Sequence, residues 1–429
     1  MMDYTQKQTL YGFYQNELRQ NILGYWLPRC EDKQFGGFIN CYSNDGAKLA
    51  SYDKYTWSQG RFVWVFSRLA GTSVPMFSDE ERARFLALAK SGVDFLMKNC
   101  LIAENDWRCS FLMERDGTHK TVSEGAPLDM SIYADCFVIL GFGMYSAVTE
   151  EREPFEFAKK LYLSAKERIA GGKFNTLPYP LSPCYRAHGI PMIMNNTARE
   201  LYRAAEKLDI EFAALLKADI EAFAQDILTN FTDEKDVIHE IITSDNKFFP
   251  QILGQHQNPG HTIEDVWFLL DAASLCGKED WKDKIYRIAL KALENGWDND
   301  FGGMLHFCSV AGGEPTGDYT GVEKETMTSQ LTGWGDKLWW IHSESLYSTL
   351  RCYAETGDRK FLDWHNRVFE YTYKTFPNTD PNVREWKQIR MRDGKPQDKV
   401  VALPVKDPFH IARNLILILE LLEKQIYAA

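Results

Sequence analysis

Polar residues interrupt the apolar stretches of this chain in five short clusters. Lys54-Tyr55-Thr56-Trp57-Ser58-Gln59-Gly60-Arg61 comes first, and Asn195-Asn196 follows near the middle. Next are Pro259-Gly260-His261-Thr262-Ile263-Glu264, Trp339-Trp340-Ile341-His342-Ser343-Glu344 and Phe409-His410. Imidazole takes or gives a proton near neutral pH, so His261 and His410 are candidates for acid/base work. His261 and Glu264, three residues apart, share one face of a helix. That pair reads in three ways: a hydrogen-bonded structural couple, a carboxylate tuning an imidazole, or two metal ligands. The metal reading ranks last, because no third ligand follows at a recognisable spacing. Arg61 serves either an ion pair or a developing anion. Tyr55, Trp57, Asn196, Trp339, His342 and Glu344 add rings and hydrogen-bonding groups, with Trp339-Trp340 also readable as core filling. The other histidines (His119, His188, His239, His256, His306 and His365) read as hydrogen-bonded core residues.

Two kinds of helix would have to position these clusters. One kind is amphipathic: residues 79–99 begin at a capping box, Ser78 with Glu81, and turn Phe85, Leu88, Phe95 and Leu96 to one side. Residues 153–170 and 279–295 have the same character. The other kind is apolar nearly all round, as in 266–276, 338–350 and 411–422, and must be buried on every side. With 56–72, 125–147 and 188–206, about six of each kind alternate. Hairpin-like segments with Gly turns separate the pairs at 35–46, 106–117, 237–246, 301–313 and 385–394. The pattern predicts an all-α fold, one (α/α)6 barrel spanning 1–429, with six inner and six outer helices and short β-hairpins in the loops. An open solenoid is the competing arrangement. In the closed ring, equivalent ends of the inner helices point the same way. The five clusters, though spread over the sequence, then converge on one bowl.

Composition narrows the function. A formal net charge of −11 with no basic run argues against nucleic acid as a partner. No apolar run approaches the ~18 residues of a membrane span. The N-terminal stretch lacks the order of a signal peptide, and nine scattered cysteines without a CxxC pair fit reduced thiols in the cytoplasm. Aromatic residues make up 14% of the chain, either as a large core or as rings that stack on sugar faces.

At the clustered residues the sequence resembles the N-acylglucosamine 2-epimerase family. The matching stretches are KYTWSQGR (54–61), LGQHQNPGHTIEDVWFLL (253–270), GWDNDFGGMLHF (296–307), KLWWIHSES (337–345), and Glu385-Trp386 followed by FHIARNL (409–415). Weaker ones are ADCF (134–137) and PMIMNN (191–196). The resemblance runs in order along nearly the whole chain and implies an (α/α)6 barrel. Carried over residue by residue, the family's arginine falls on Arg61 and its H-x-x-E pair on His261 and Glu264. Its HSE segment falls on His342 and Glu344, and its late histidine on His410. The sequence departs at Asp135, where relatives carry Glu, at Asp265 and Val266, and in a longer stretch over 308–335.

The resemblance implies interconversion of N-acetyl-D-glucosamine and N-acetyl-D-mannosamine at C2 of the ring-opened sugar. His261 and His410 would be the two bases, Arg61 would hold O1, and Glu264 would orient His261. Glu344 and His342 would bind hydroxyls, and Tyr55, Trp57, Asn196 and Trp339 would shape the pocket. It further implies a homodimer, no required cofactor, and a nucleotide such as ATP as effector, although no phosphate loop marks a site. An epimerase or isomerase of an unmodified sugar (mannose or cellobiose) uses the same proton chemistry. A glycoside hydrolase would instead recruit Glu264 and Glu344 as a carboxylate pair. That pair would leave the histidines without a purpose, and a non-catalytic interaction protein would use Leu415 to Leu422 as a zipper, although its contiguous apolar residues follow no heptad and read as an inner core helix.

Overall fold

The computed structural model describes residues 2–401 and 403–427. Helix α1 (Tyr4–Asn16) opens on a capping box between Asp3 and Gln6 and runs on through a π-helical stretch, Glu17–Ile22, into Leu23–Trp26. Eleven longer helices follow among the described residues. They are α2 (Thr56–Gly71), α3 (Asp79–Asn99), α4 (Ile132–Thr149), α5 (Arg152–Ala170), α6 (Gly189–Leu208) and α7 (Ile210–Asp226), then α8 (Pro259–Cys276), α9 (Lys282–Gly296), α10 (Trp339–Thr356), α11 (Arg359–Thr375) and α12 (Phe409–Tyr427). The even-numbered helices are inner: on α4 every residue from Ala134 to Ser146 is buried. The odd-numbered helices bury one stripe, as α9 does with Ile285, Ile288, Ala289, Ala292 and Leu293. Each inner helix packs against the next, and α12 returns to α2, so the ring is closed. Between α2 and α4 the approach is backbone to backbone, since a Cβ on Gly60 would lie 2.3 Å from Phe137 O.

The two faces of the barrel differ. Inner helices pass to the following outer helix through tight turns, such as Glu150-Glu151, Asp209 alone, or Gly357-Asp358. Asp209 and Asp358 each cap the helix they introduce. The return connections are long (27–55, 100–131, 171–188, 232–258, 297–338 and 376–408) and all emerge on the other face.

Short strands in these long loops follow one rule. Residues just before an inner helix pair with the loop that leaves the next outer helix. Lys54–Tyr55 pairs with Leu112–Met113, and Tyr185–Ala187 with Ile241–Thr243. His256–Gln257 pairs with Cys308–Ser309, and Lys337–Leu338 with Ile389–Arg390. Ser131 and Thr176 make the same link as a single bridge. The sixth link joins the last loop to the first: the Lys406 amide donates to Asn40 O at 2.9 Å, and Asn40 Nδ2 to Lys406 O at 3.1 Å. Strands thus lie in the expected loops, but most pair between repeats. The local hairpins are Leu101–Ala103 with Asp106–Cys109, and Leu112–Met113 with His119–Lys120.

A charged staple occurs twice in these links. Asp32 binds Lys54 at 3.1 Å and Arg115 at 2.9 Å, while Asp298 binds Lys337 at 2.9 Å and Arg392 at 2.8 Å. Each aspartate opens an Asp-x-x-Phe-Gly-Gly stretch, and each lysine stands just ahead of an inner helix. The long loop 297–338 folds over a second, smaller hydrophobic cluster that includes Ile252, Phe307, Val322, Met327 and Leu331. One expectation needs correcting. Helix α4 is long and apolar enough to cross a membrane by length and composition, even with Asp135 inside it, but it is an inner helix and mostly buried. Asp135 is held there by Arg168 and by the Cys109 amide, both at 2.7 Å. All nine cysteines are free thiols.

Candidate active site

The first turns of the inner helices open on one cavity of about 640 Å3. Their positive dipole ends face it together, which favours an anion forming there. Of the expected site residues, Trp57, Arg61, Asn196, His261, Glu264, Trp339 and His410 line it.

His261 owes its place to the Asn-Pro-Gly-His sequence. Asn258 caps α8 by accepting the His261 amide at 3.2 Å, and Pro259 suits the first helical position, where no amide hydrogen is needed. Gly260 makes room for a ring: a Cβ there would lie 2.6 Å from Trp340 Cη2. His261 therefore stands in the first turn with its side chain 31% exposed, its centroid 5.5 Å from that of Trp340. Its Nδ1 lies 2.9 Å from Glu240 Oε1. Glu240 is buried, which raises a carboxyl, yet His261 and His188 hold it well below the usual carboxylate range. Behind it His188 Nδ1 lies 3.7 Å from Glu240, and His188 Nε2 lies 2.9 Å from Asp265. Burial opposes a charge on His188, but the two carboxylates outweigh it and push the imidazole up to about 9.

His410 is placed by a different device. Asp407 Oδ1 accepts the Phe409 amide at 2.8 Å at the start of α12, and Asp407 Oδ2 takes Arg61 Nη1 at 3.1 Å. The Arg61 guanidinium carbon is 4.1 Å from the Phe137 ring centroid, and Arg61 Nη2 is 3.3 Å from His410 Nε2. On the other side His410 Nδ1 lies 2.7 Å from Glu344 Oε1. These partners assign the proton to Nδ1 and leave Nε2 as an acceptor facing Arg61. Burial, then the nearby Arg61 charge, lowers the His410 imidazole despite Glu264 and Glu344. Glu344 receives the Trp267 indole at 3.0 Å; burial raises its carboxyl, but Arg413 and His410 bring it down to about 2. The Trp340 centroid is 5.6 Å from that of His410, so one indole touches both histidines.

Several expected roles change. Glu264 does not serve His261: it binds Arg413 and lies 3.8 Å from His410 Nδ1, because it sits one turn deeper in the barrel, facing α12. Glu344 stands behind His410 and does not line the cavity, so it positions the imidazole and is not placed to meet a hydroxyl. His342 is buried with both ring nitrogens occupied, Nδ1 by Leu338 O at 2.7 Å and Nε2 by the Met304 amide at 3.0 Å. Tyr55 packs edge-on to Phe111 outside the cavity. His188 and His306, read as core residues, belong to the site: His188 backs Glu240, and His306 lines the cavity.

Two trios could hold a metal, His188/Glu240/His261 and Glu264/Glu344/His410, with ligand atoms within 4.8 Å of one another. In the first, the carboxylates push the His188 imidazole up to about 9, which favours its cation, and in the second the Arg413 guanidinium bridges Glu264 and Glu344. One guanidinium nitrogen between two carboxylates also leaves no space for a scissile bond flanked by them.

Besides His188 and His306, the residues missed on sequence alone are Glu240, Asp407, Arg413 and Trp340. Trp340 and Arg413 lie inside the quoted motifs and carried a signal. Glu240 did not: it sits in an apolar strand edge, His239-Glu240-Ile241-Ile242, and reaches His188 because Ile241–Thr243 pairs with Tyr185–Ala187.

Known proteins resemble this chain in sequence and in fold. The family profile described as N-acylglucosamine 2-epimerase (GlcNAc 2-epimerase) matches residues 37–413. The N-acylglucosamine 2-epimerase of Bos taurus is 31% identical over 409 residues, covering 94% of this chain and 88% of its own. The cellobiose 2-epimerase of Ruminococcus albus is 23% identical over 429 residues, covering 93% and 96%. Among solved structures, cellobiose 2-epimerase from Bacillus thermoamylovorans superposes with a TM-score of 0.74 at 19% identity, over 97% of this chain and 100% of that one. A D-mannose isomerase gives 0.73 at 17% identity, over 95% and 97%. These two show the same barrel. With a family match over most of its length and paired histidines at the mouth of that barrel, the chain belongs to the N-acylglucosamine 2-epimerase family and is a carbohydrate epimerase, an isomerase.

Proposed function

We propose that the enzyme interconverts N-acetyl-D-glucosamine and N-acetyl-D-mannosamine by passing the C2 proton of the ring-opened sugar between His261 and His410. One observation carries the reading: two histidines, each tied through Nδ1 to its own buried carboxylate, open on one cavity and touch the same indole. In the open form the C1 aldehyde acidifies the proton on C2. One histidine takes that proton, the C2–H electron pair moves into a C1–C2 double bond, and negative charge develops on O1. Arg61, 3.3 Å from His410, supplies the cation for O1. The other histidine then protonates C2 from the opposite face, which inverts the centre. The 31%-identical bovine relative, named for an N-acyl substrate, favours the acylated sugar over an unmodified one.

The test is incubation with N-acetylmannosamine, mannose, fructose and cellobiose, with products followed by NMR. N-acetylglucosamine is expected from the first. Turnover of mannose or cellobiose alone would overturn the substrate, and wild-type epimerisation by His261→Ala or His410→Ala would overturn the two-base scheme. The scattered free thiols support a cytoplasmic location, and the family likeness supports a homodimer and a nucleotide effector. Sedimentation and an ATP titration of the rate test the last two.

A further inference from the structure

Away from the histidines the cavity has a wall of different character. It is built by loop 171–188, the start of α6, loop 297–338 and the stretch before α12, through Tyr179, Leu181, Ile193, Met327, Leu403 and Val405. Met327 is part of the second hydrophobic cluster, on which Tyr179 and Leu181 pack, while Ile193, Leu403 and Val405 pack against the main core, so the wall is an apolar seam between the two and not a solvated rim. Three of its polar groups are already committed, while the buried Nδ1 of His306 in loop 297–338 has no partner. Thr176 Oγ1 donates to Tyr179 O at 2.8 Å, the Tyr179 hydroxyl to Val401 O at 3.5 Å, and the Ser182 hydroxyl to Glu325. Among the described lining residues, Arg186 is the charged side chain outside the proton-transfer group, and its guanidinium is held by Asp226 and Asn246.

A second sugar ring against the six apolar side chains would bury hydroxyls that those side chains cannot pair. An alkyl chain makes no such demand, and each methylene it buries is worth about fourfold in affinity. The cavity, at about 640 Å3, lies in the middle of the range of about 300–1,000 Å3 that encloses ligands larger than one hexose. An acyl group on the C2 nitrogen leaves from the carbon that the proposed reaction sets between the histidines, and the wall lines the same cavity as they do. We propose that the wall receives the acyl group of an N-acylated hexosamine and that the enzyme prefers acyl chains longer than acetyl. The proposal rests on the epimerase reading above and names the substrate class it favours.

The experiment compares kcat/KM for N-acetyl-, N-butanoyl- and N-hexanoylmannosamine, with cellobiose as the disaccharide. An increase of about tenfold from acetyl to butanoyl is expected. Leu403→Asp should pull the butanoyl-to-acetyl ratio down to one or below. A flat or falling series in the unaltered enzyme overturns the proposal while leaving the epimerase reading intact, and so does faster turnover of cellobiose than of the butanoyl sugar. Failure of every N-acyl sugar overturns the underlying reading and this one with it.

Discussion

Replacing Glu240 by Gln removes a charge from the site with little change of shape. The carboxylate lies 2.9 Å from His261 Nδ1 and stabilises the proton once it has reached that ring. A hydrogen bond to a charged group is worth about 1.5–3 kcal/mol net, against about 0.5–1.5 for a neutral one. Because the His261 side chain is 31% exposed, solvent takes part of the difference. A fall in kcat/KM of about 3- to 10-fold is expected, corresponding to about 0.7–1.4 kcal/mol. The fall must be the same in both directions, since the variant cannot change the equilibrium between two sugars. The sharper readout is deuterium in D2O. When His410 has removed a proton, a weakened His261 protonates the other face slowly, and His410 more often returns a deuteron to the face it came from. For the epimer whose C2 proton faces His410, exchange without inversion should therefore rise relative to inversion. An unchanged kcat/KM together with an unchanged exchange-to-inversion ratio, in a variant with native circular dichroism, would refute the assignment of Glu240 to His261.

Three further outcomes follow from the geometry. Arg413→Met leaves Glu264 and Glu344 facing each other without their cation, and should cost about 3–5 kcal/mol in urea unfolding. His342→Gln should lower stability by about 1–3 kcal/mol, because one buried backbone partner is lost, while kcat/KM changes less than about threefold. Finally, His188 is raised to about 9, so its contribution is complete below the ordinary imidazole range and is lost as pH rises through about 9. Thermal melts between pH 6 and 10 should show a loss of about 3 kcal/mol that His188→Asn lacks.

Helix character was legible because burial writes itself into composition. An inner helix such as α4 has no polar face to spare, whereas α9 shows its stripe plainly. The two histidines were legible because they stand at the starts of such helices. The carboxylates behind them were not. His261 and Glu264 are close along the helix, yet three residues carry Glu264 toward α12, where Arg413 takes it. Glu240 arrives from a loop 21 residues earlier through strand pairing, and no local pattern in sequence announces a pairing between repeats. His342 misled for a related reason: a histidine in an inner helix looks free until the Met304 amide from the neighbouring loop is seen to occupy it.

The rule by which every loop ahead of an inner helix is laced to the next repeat, with Lys406 laced back to Asn40, has a topological consequence. An open array of repeats has two end units, each exposing a face that a cap must cover, and it can fray from either end. Here no repeat is terminal. The described N-terminal residue Met2 donates to the Tyr353 hydroxyl at the far end of α10, beside the end of α12 and on the face of tight turns. The order in which the repeats are read should therefore matter little to the folded ring. A circular permutant opened between Glu150 and Glu151, with the old ends joined across that face, keeps all six laces and the whole site.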